Sequence, residues 1–247
     1  MGVYQSFARI YDQLFDPVMY EHWADFSQQR VHLQRPAVLD LAGGAGRFAS
    51  LMAQRGWQMT DLDQSEEMLA LASEHAAAAN VNLTFVQGDM TQLAGLPIYD
   101  VVTCYADSLN YLPTPALVSQ TLNEVAAHLT DTGIFLFDVI TPYQTDVIYP
   151  GYMYNDETDD EQAALMWRSY ADDDVAHGVI HDLVIFNRTD DGSYQRQSEM
   201  HFERAYPLSW WQEQLAAAGF NKVSVTAGFG QQQLTKTTSR WFFECHR

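Results

Sequence analysis

The sequence predicts an α/β fold built on a doubly wound, mostly parallel sheet, and three observations carry that reading. Between Val38 and Thr141, short apolar runs alternate with helix-period stretches, the pattern of repeated strand–helix–strand units. The first apolar run ends in a glycine-rich turn, Val38-Leu39-Asp40-Leu41-Ala42-Gly43-Gly44-Ala45-Gly46, and Phe48 to Ala53 opens a helix directly after it. After Pro142 the pattern changes to extended stretches parted by turn residues. That does not belong in a repeating parallel sheet, so it reads as an antiparallel insertion.

In chain order, Tyr4 to Arg30 reads as one or two helices. Phe7, Ile10, Tyr11, Leu14 and Phe15 recur at helical spacing; Asp16-Pro17 interrupts them, and Tyr20, Trp23 and Phe26 resume. Met59 to Asp63 is the second strand, and the alanine- and leucine-rich run Leu69 to Ala79 is a helix. Phe85 and Val86 mark the third strand, and Tyr99 to Tyr105 the fourth. Thr114-Pro115 starts a helix that buries Leu117, Thr121, Leu122, Val125 and Leu129. Thr132-Gly133 is expected to end it before a fifth strand, Ile134 to Ile140.

Asn155 to Gln162 reads as an acidic loop. Leu165 to Tyr170, Val179 to Arg188 and Tyr194 to Tyr206 read as strands, the last two joined by the turn Asp190-Asp191-Gly192-Ser193. Ser209-Trp210-Trp211-Gln212 has capping-box spacing and Gly219 closes that helix. Lys222 to Phe229 and Arg240 to Cys245 read as the last strands. The organisation expected is a single domain, 1–247. It comprises a helical lid at 1–35, a core at 36–141, an antiparallel insertion at 152–206 and a return to the core sheet at 207–247.

A formal charge of −19, from 13 basic and 32 acidic residues, argues against a nucleic-acid partner. Tracking phosphates needs a basic stripe, and none is present. The same charge disfavours anionic membranes, and no apolar run reaches spanning length. Two distant cysteines, Cys104 and Cys245, fit a reducing cytoplasm and no metal site. The amino terminus lacks an export pattern, so the expectation is a cytoplasmic protein, monomer or homodimer, without a metal.

The glycine turn has two readings. Gly44-Ala45-Gly46-Arg47-Phe48-Ala49 fits the G-x-G-x-x-G/A dinucleotide fingerprint, with Asp61 and Asp63 downstream, which points to an NAD-dependent oxidoreductase. Asp40 before the turn points elsewhere. The stretch resembles D-x-G-x-G-x-G, the glycine loop of class I S-adenosylmethionine-dependent methyltransferases, with Ala42 in place of the first glycine. Met59 to Leu69, Phe85-Val86-Gln87-Gly88-Asp89-Met90 and Tyr99 to Tyr105 resemble that family's second, third and fourth strands. Ala106 to Leu112 resembles the substrate loop of a bacterial small-methyltransferase subgroup.

The resemblance implies a Rossmann-like seven-stranded sheet with an antiparallel last strand, S-adenosylmethionine as cofactor, and S-adenosylhomocysteine as product. It places Asp63 on the ribose hydroxyls, Asp89 on the adenine amino group and Met90 on the ring. Asp40, Ala42, Gly43, Gly44, Gly46, Gln64, Met68 and Tyr105 join them on the cofactor side. Tyr11 becomes a candidate to face the sulfonium. Because a one-residue slip flips a strand's faces, Asp61 competes with Asp63; the resemblance favours Asp63 and makes Asp61 a solvated turn residue. Ser108, Asn110 and Tyr111 are the expected acceptor contacts, and Asp107 the expected base or orienting group. His201 reads as a surface strand residue. The acceptor expected is a small uncharged or cationic metabolite. A non-catalytic module that binds S-adenosylmethionine is a further alternative.

Overall fold

In a computed structural model, Asp12 and residues 16–158 and 160–247 are described. Tyr11 and most of the first predicted helix lie outside the described residues. Helix α1 spans Pro17–Gln28. Then follow β1 (Ala37–Leu41), α2 (Arg47–Gln54), β2 (Gln58–Asp63), α3 (Glu66–Ala78), β3 (Thr84–Gln87) and β4 (Tyr99–Cys104). A short 3-10 turn (Ser108–Tyr111), α4 (Pro115–Ala127) and β5 (Leu129–Ile140) complete the first half. The insertion comprises β6 (Met153–Glu157), β7 (Ala163–Ala171), β8 (Gly178–Arg188) and β9 (Tyr194–Arg204). The chain closes with α5 (Leu208–Ala217), β10 (Lys222–Thr226) and β11 (Arg240–His246).

Seven strands form one sheet in the order β10-β11-β5-β4-β1-β2-β3, with β11 antiparallel to both its neighbours. β6 to β9 form a separate antiparallel sheet in sequence order. The large sheet is apolar on both faces, as helix-covered parallel strands must be. On one face Leu39, Val102, Phe135 and Phe137 pack under Leu122 and Val125 of α4 and Trp211 and Leu215 of α5. On the other, Val38, Val101 and Leu136 meet Trp23 and Phe26 of α1 and Phe48 and Met52 of α2. Asp40 shares this second face with Val38, since strand side chains alternate. The register Asp40↔Asp61 and Leu41↔Leu62 then sets Asp61 and Asp63 beside it.

Helix starts follow local chemistry: Asp16 accepts from Val18 N at 2.9 Å ahead of Pro17, and Thr114 accepts from Leu117 N ahead of Pro115. Three expectations need correction. The helix after the insertion begins at Leu208 behind Pro207, so Ser209 lies inside it and makes no capping box. Thr132-Gly133 lies within β5, which pairs Tyr99 with Leu129 and Val101 with Ile134; the surplus residues form an irregularity in the strand. Met153–Glu157, overlapping the expected acidic loop, is an edge strand paired with β7. Two exposed hydrophobics, Met153 and Tyr154, followed by three polar residues carry no alternation, so only pairing reveals it.

Asn110 ties the two sheets together. Its Oδ1 accepts from Ile140 N at 3.0 Å and its Nδ2 donates to Arg204 O at 2.8 Å.

Candidate active site

The glycine loop leaves β1 through left-handed backbone at Ala42, Gly44 and Gly46, with φ of 52°, 59° and 66°. A Cβ on Gly46 would lie 2.6 Å from Ala72 Cβ and 2.8 Å from Asp61 Oδ2, so only glycine fits there. A Cβ on Gly43 would collide with Asp61 and Asp40. Gly44 instead faces open space, with nothing within 4 Å of such an atom. The loop therefore has a closed side against carboxylates and an open side for a ligand.

Three carboxylates form the floor. Asp40 is buried and accepts from Thr103 Oγ1 at 2.6 Å. Burial raises its pKa to about 7, against the Thr103 hydrogen bond and with help from Asp63. Asp63 accepts from Gly44 N at 3.0 Å and Ser65 N at 2.9 Å, so the end of β2 pins the loop. Its pKa is raised by burial, with those amides pulling the other way. Asp61 corrects the expectation of a solvated turn residue: it is 0% exposed and neither oxygen has a hydrogen-bond partner among the described residues. Burial, then the charges of Asp40 and Asp63, raise its pKa to about 8.

Asp12 reaches the same loop from the amino-terminal segment. Its carboxylate pairs with Arg47 Nε, accepts from Nη2 at 2.7 Å, and lies 3.2 Å from His75 Nε2. His75 Nδ1 is 2.7 Å from Ala45 O. Burial opposes the charge on Asp12, but hydrogen bonds from His75 and Arg47 outweigh it and hold the carboxyl below its ordinary pKa. His75 is raised in turn, chiefly by its bond to Asp12.

The remaining cofactor-side candidates divide. Asp89 is exposed after β3 and accepts from Thr91 N at 2.8 Å, beside half-buried Met90. Gln64 is exposed, with its backbone carbonyl accepting from Gln87 Nε2 at 3.3 Å. Met68 packs on Ala45 and Leu71 behind the loop. Tyr105 corrects an expectation: its ring stacks on Trp23 and its hydroxyl pairs with Ser27 Oγ at 2.7 Å, which makes it a core residue.

At the carboxyl end of β4, Asp107 adopts φ 52° and its N–H donates to Asp138 Oδ1 at 2.8 Å. Its carboxylate lies 2.6 Å from Arg240 Nη2, while Arg240 Nη1 is 3.0 Å from Asp138 Oδ1. Trp23 Nε1 donates to Asp138 Oδ2 at 2.6 Å. Burial works against the charge of Arg240, and Asp107 and Asp138 more than restore it. Asp107 is thus clamped rather than free. Ser108 Oγ donates to Tyr105 O at 2.8 Å, closing its own turn. Asn110 is 0% exposed and engaged with backbone, which corrects its expected acceptor role. Tyr111 is exposed, its ring edge-on to His201.

Sequence reasoning missed Arg240 and Asp138. Asp138 carried a signal, a lone carboxylate inside the apolar run Ile134 to Ile140; Arg240 carried none. Among the described residues, no group of three or more His, Cys, Asp or Glu is placed to hold a metal ion. A cavity of about 600 Å³ opens among Ala37, Gln58 and Tyr99 at the amino ends of β1, β2 and β4, the end opposite the glycine loop.

A glycine loop closed over strand-end carboxylates, on a doubly wound sheet with an antiparallel tail, defines the class I methyltransferase architecture. Residues 38–133 match the family model of the methyltransferase domain. A candidate methyltransferase of Geobacillus sp. (strain WCH70) is 35% identical over 244 residues, spanning 97% of this chain and 98% of that one. An S-adenosylmethionine-dependent methyltransferase structure from Clostridium acetobutylicum ATCC 824 superposes with a TM-score of 0.84 at 24% identity, covering 99% of both chains. The sugar N-methyltransferase KedS8 from Streptoalloteichus sp. ATCC 53650 gives 0.78 at 20% identity, covering 100% of this chain and 93% of that one. The chain belongs to the class I S-adenosylmethionine-dependent methyltransferases.

Proposed function

We propose that this protein transfers a methyl group from S-adenosylmethionine to a small-molecule acceptor. The observation that carries the reading is the floor of Asp40, Asp61 and Asp63 beneath the glycine loop. A dinucleotide would bring a doubly negative pyrophosphate to this loop, where it would press the crowded carboxyls further toward their protonated forms and gain no charge partner from them. The cation nearest the loop, Arg47, is already neutralised by Asp12. S-adenosylmethionine carries an ammonium and a sulfonium, and a cation brought near these carboxyls favours their ionised forms, which attract it in turn. The open face at Gly44 leaves room for a ligand over the loop.

In this reading Asp63 holds the ribose hydroxyls and Asp89, exposed beyond β3, holds the adenine amino group with Met90 on the ring. The loop from Ala42 to Gly46 and the Asp40 charge favour the amino-acid end. When bound, the cofactor supplies an electrophilic methyl whose leaving group is a neutral thioether, so no acid is required. The chain's tasks are alignment and exclusion of water. α1 and the Asp12 side chain stand on one side, and the insertion Met153–Arg204 on the other. Asp107, fixed by Arg240, orients the acceptor. The acidic charge of −19 favours a small acceptor over nucleic acid, and KedS8, a sugar N-methyltransferase of the same architecture, fits that scale. No helix among the described residues is long and apolar enough to cross a membrane, and the buried free thiols Cys104 and Cys245 suit a reducing cytoplasm.

Calorimetry with S-adenosylhomocysteine and NADH tests this. Binding of S-adenosylhomocysteine alone is the expected result; binding of NADH alone overturns it.

A further inference from the structure

Asp61 is the one member of the carboxyl floor with nothing to hold it. Asp40 has the Thr103 hydroxyl and Asp63 has the amides of Gly44 and Ser65. Both oxygens of Asp61 are buried without a partner among the described residues. They press on the underside of the glycine loop. A Cβ on Gly43 would lie 2.2 Å from Asp61 Oδ1 and 3.0 Å from Asp40 Oδ2, and one on Gly46 would lie 2.8 Å from Asp61 Oδ2. The two carboxyls therefore crowd one point of the loop. An acid with no water, no donor and a second acid beside it keeps its proton. Burial, the largest cause for both, accordingly raises Asp61 to about 8 and Asp40 to about 7.

Among the described residues, the elements packed against Asp61 bring further acids or uncharged groups. β1 brings Asp40 and the end of β2 brings Asp63. β3 brings Phe85 through the Asp61↔Phe85 register, and α3 brings Ala72. The cations of α2 and α3, Arg47 and His75, are both engaged by Asp12. Burial keeps the Tyr20 hydroxyl of α1, raised to about 12, and the Cys104 thiol of β4 neutral. The missing countercharge is one that a ligand can bring.

Only the loop backbone separates Asp61 from the open side at Gly44, and glycines at 43 and 46 keep that layer thin. An opposite charge this near favours the ionised form of a carboxyl, and a dry backbone layer screens it little. The methyl donor and its product differ in just this respect. The donor's sulfur is a sulfonium; the product's is a neutral thioether.

We propose that Asp61 gives up its proton when S-adenosylmethionine settles on the loop and regains one when the product stands in its place, so that the floor holds the cationic donor more tightly than the neutral product; this rests on the methyltransferase reading above. The proton passes to solvent on binding, and solvent returns it once the sulfonium charge is gone. Charge is balanced in both states, a carboxylate under a sulfonium and a neutral acid under a thioether. Asp61 touches the loop and not the ligand, so it is a specificity residue that acts through charge.

The test uses the full chain. Calorimetry first establishes that S-adenosylhomocysteine binds; failure there breaks the methyltransferase reading itself. Binding of S-adenosylmethionine and of S-adenosylhomocysteine is then measured at pH 7 in phosphate and in Tris. The two buffers differ in heat of protonation, so the difference in heat counts the protons exchanged. The donor is expected to release about 0.3 proton or more beyond the product, as an acid at about 8 does when it is drawn down to about 7. Asp61→Asn should remove at least half of that excess. The ligands' own amino groups, which titrate at about 8, act alike on both proteins and cancel in the comparison. A smaller excess in the unaltered protein, or one that Asp61→Asn leaves more than half intact, overturns the proposal. If Asp61→Asn does not fold, the donor–product contrast in the unaltered protein decides alone.

Discussion

The two ends of the site handle buried charge in opposite ways. At the glycine loop, Asp40, Asp61 and Asp63 crowd together with no cation among them in the described residues, and Asp40 and Asp61 are raised to about 7 and 8. At the carboxyl ends of β4 and β5, Asp107 and Asp138 are clamped by Arg240. The first arrangement favours protonated acids until a positive ligand arrives. The second is complete without one and holds a loop in place. Crowded carboxyls thus keep their protons until a cation comes near, whereas carboxylates already paired with arginine keep their charge and a fixed position.

The largest effect expected is from breaking the clamp. Arg240→Met leaves Asp107 and Asp138 without their cation and should lower stability by about 3–5 kcal/mol, read from urea unfolding. A loss below 1 kcal/mol would show the clamp to be idle. Next, Asp63→Ala should weaken S-adenosylhomocysteine binding by about 1.5–3 kcal/mol for each charged hydrogen bond lost, while Asp89→Ala, at an exposed site, should cost less. Calorimetry with both variants ranks them.

Asp61 offers a sharper contrast. Its folded pKa of about 8 lies above the ordinary value of 3.8, so the native state holds a proton that the unfolded chain releases. Stability of the ligand-free protein should fall as pH rises from about 4 toward 8. Asp61→Asn removes that penalty: the variant should melt higher than its parent at pH 9 and near it at pH 4. Equal melting temperatures at both values would mean that Asp61 ionises freely.

The smallest effect concerns the latch of Asp12 on the loop. His75 has a raised folded pKa, so its contribution is complete below the ordinary imidazole value of 6.5 and is lost as pH rises through the folded one. His75→Gln should therefore cost about 0.5–1 kcal/mol at pH 5.5 and little at pH 9. A cost that does not change with pH would reduce the contact to packing.

The glycine loop and the carboxylates at the strand ends were legible because their parts are local. Asp40 to Gly46 is one turn, and Asp63 and Asp89 each follow their own strand, so apolar runs and glycine placement located them before any contact was known. Asp61 was misjudged because a strand-end carboxylate looks the same in sequence whether it meets water or the underside of a loop. Only the Asp40↔Asp61 register and the missing Cβ atoms of Gly43 and Gly46 put it there. Asn110 and Tyr105 looked like ligand contacts by position, yet their polar atoms meet Ile140, Arg204 and Ser27 instead.

The antiparallel tail came from the family resemblance, whereas alternation, helix period and turn chemistry established the alternating strands and helices of the large sheet, the hairpin at Asp190 to Ser193 and the glycine loop. These depend on neighbours within a few residues, which the chain carries in order. Folding decided which carboxylates are paired and which are left alone. The bonds of Asp138 to Trp23 and Arg240 join residues 115 and 102 positions apart, and His181 meets Glu203 through the pairing of β8 with β9. Charge compensation is set by distance in space and by exclusion of water, and neither is written in the local order of residues.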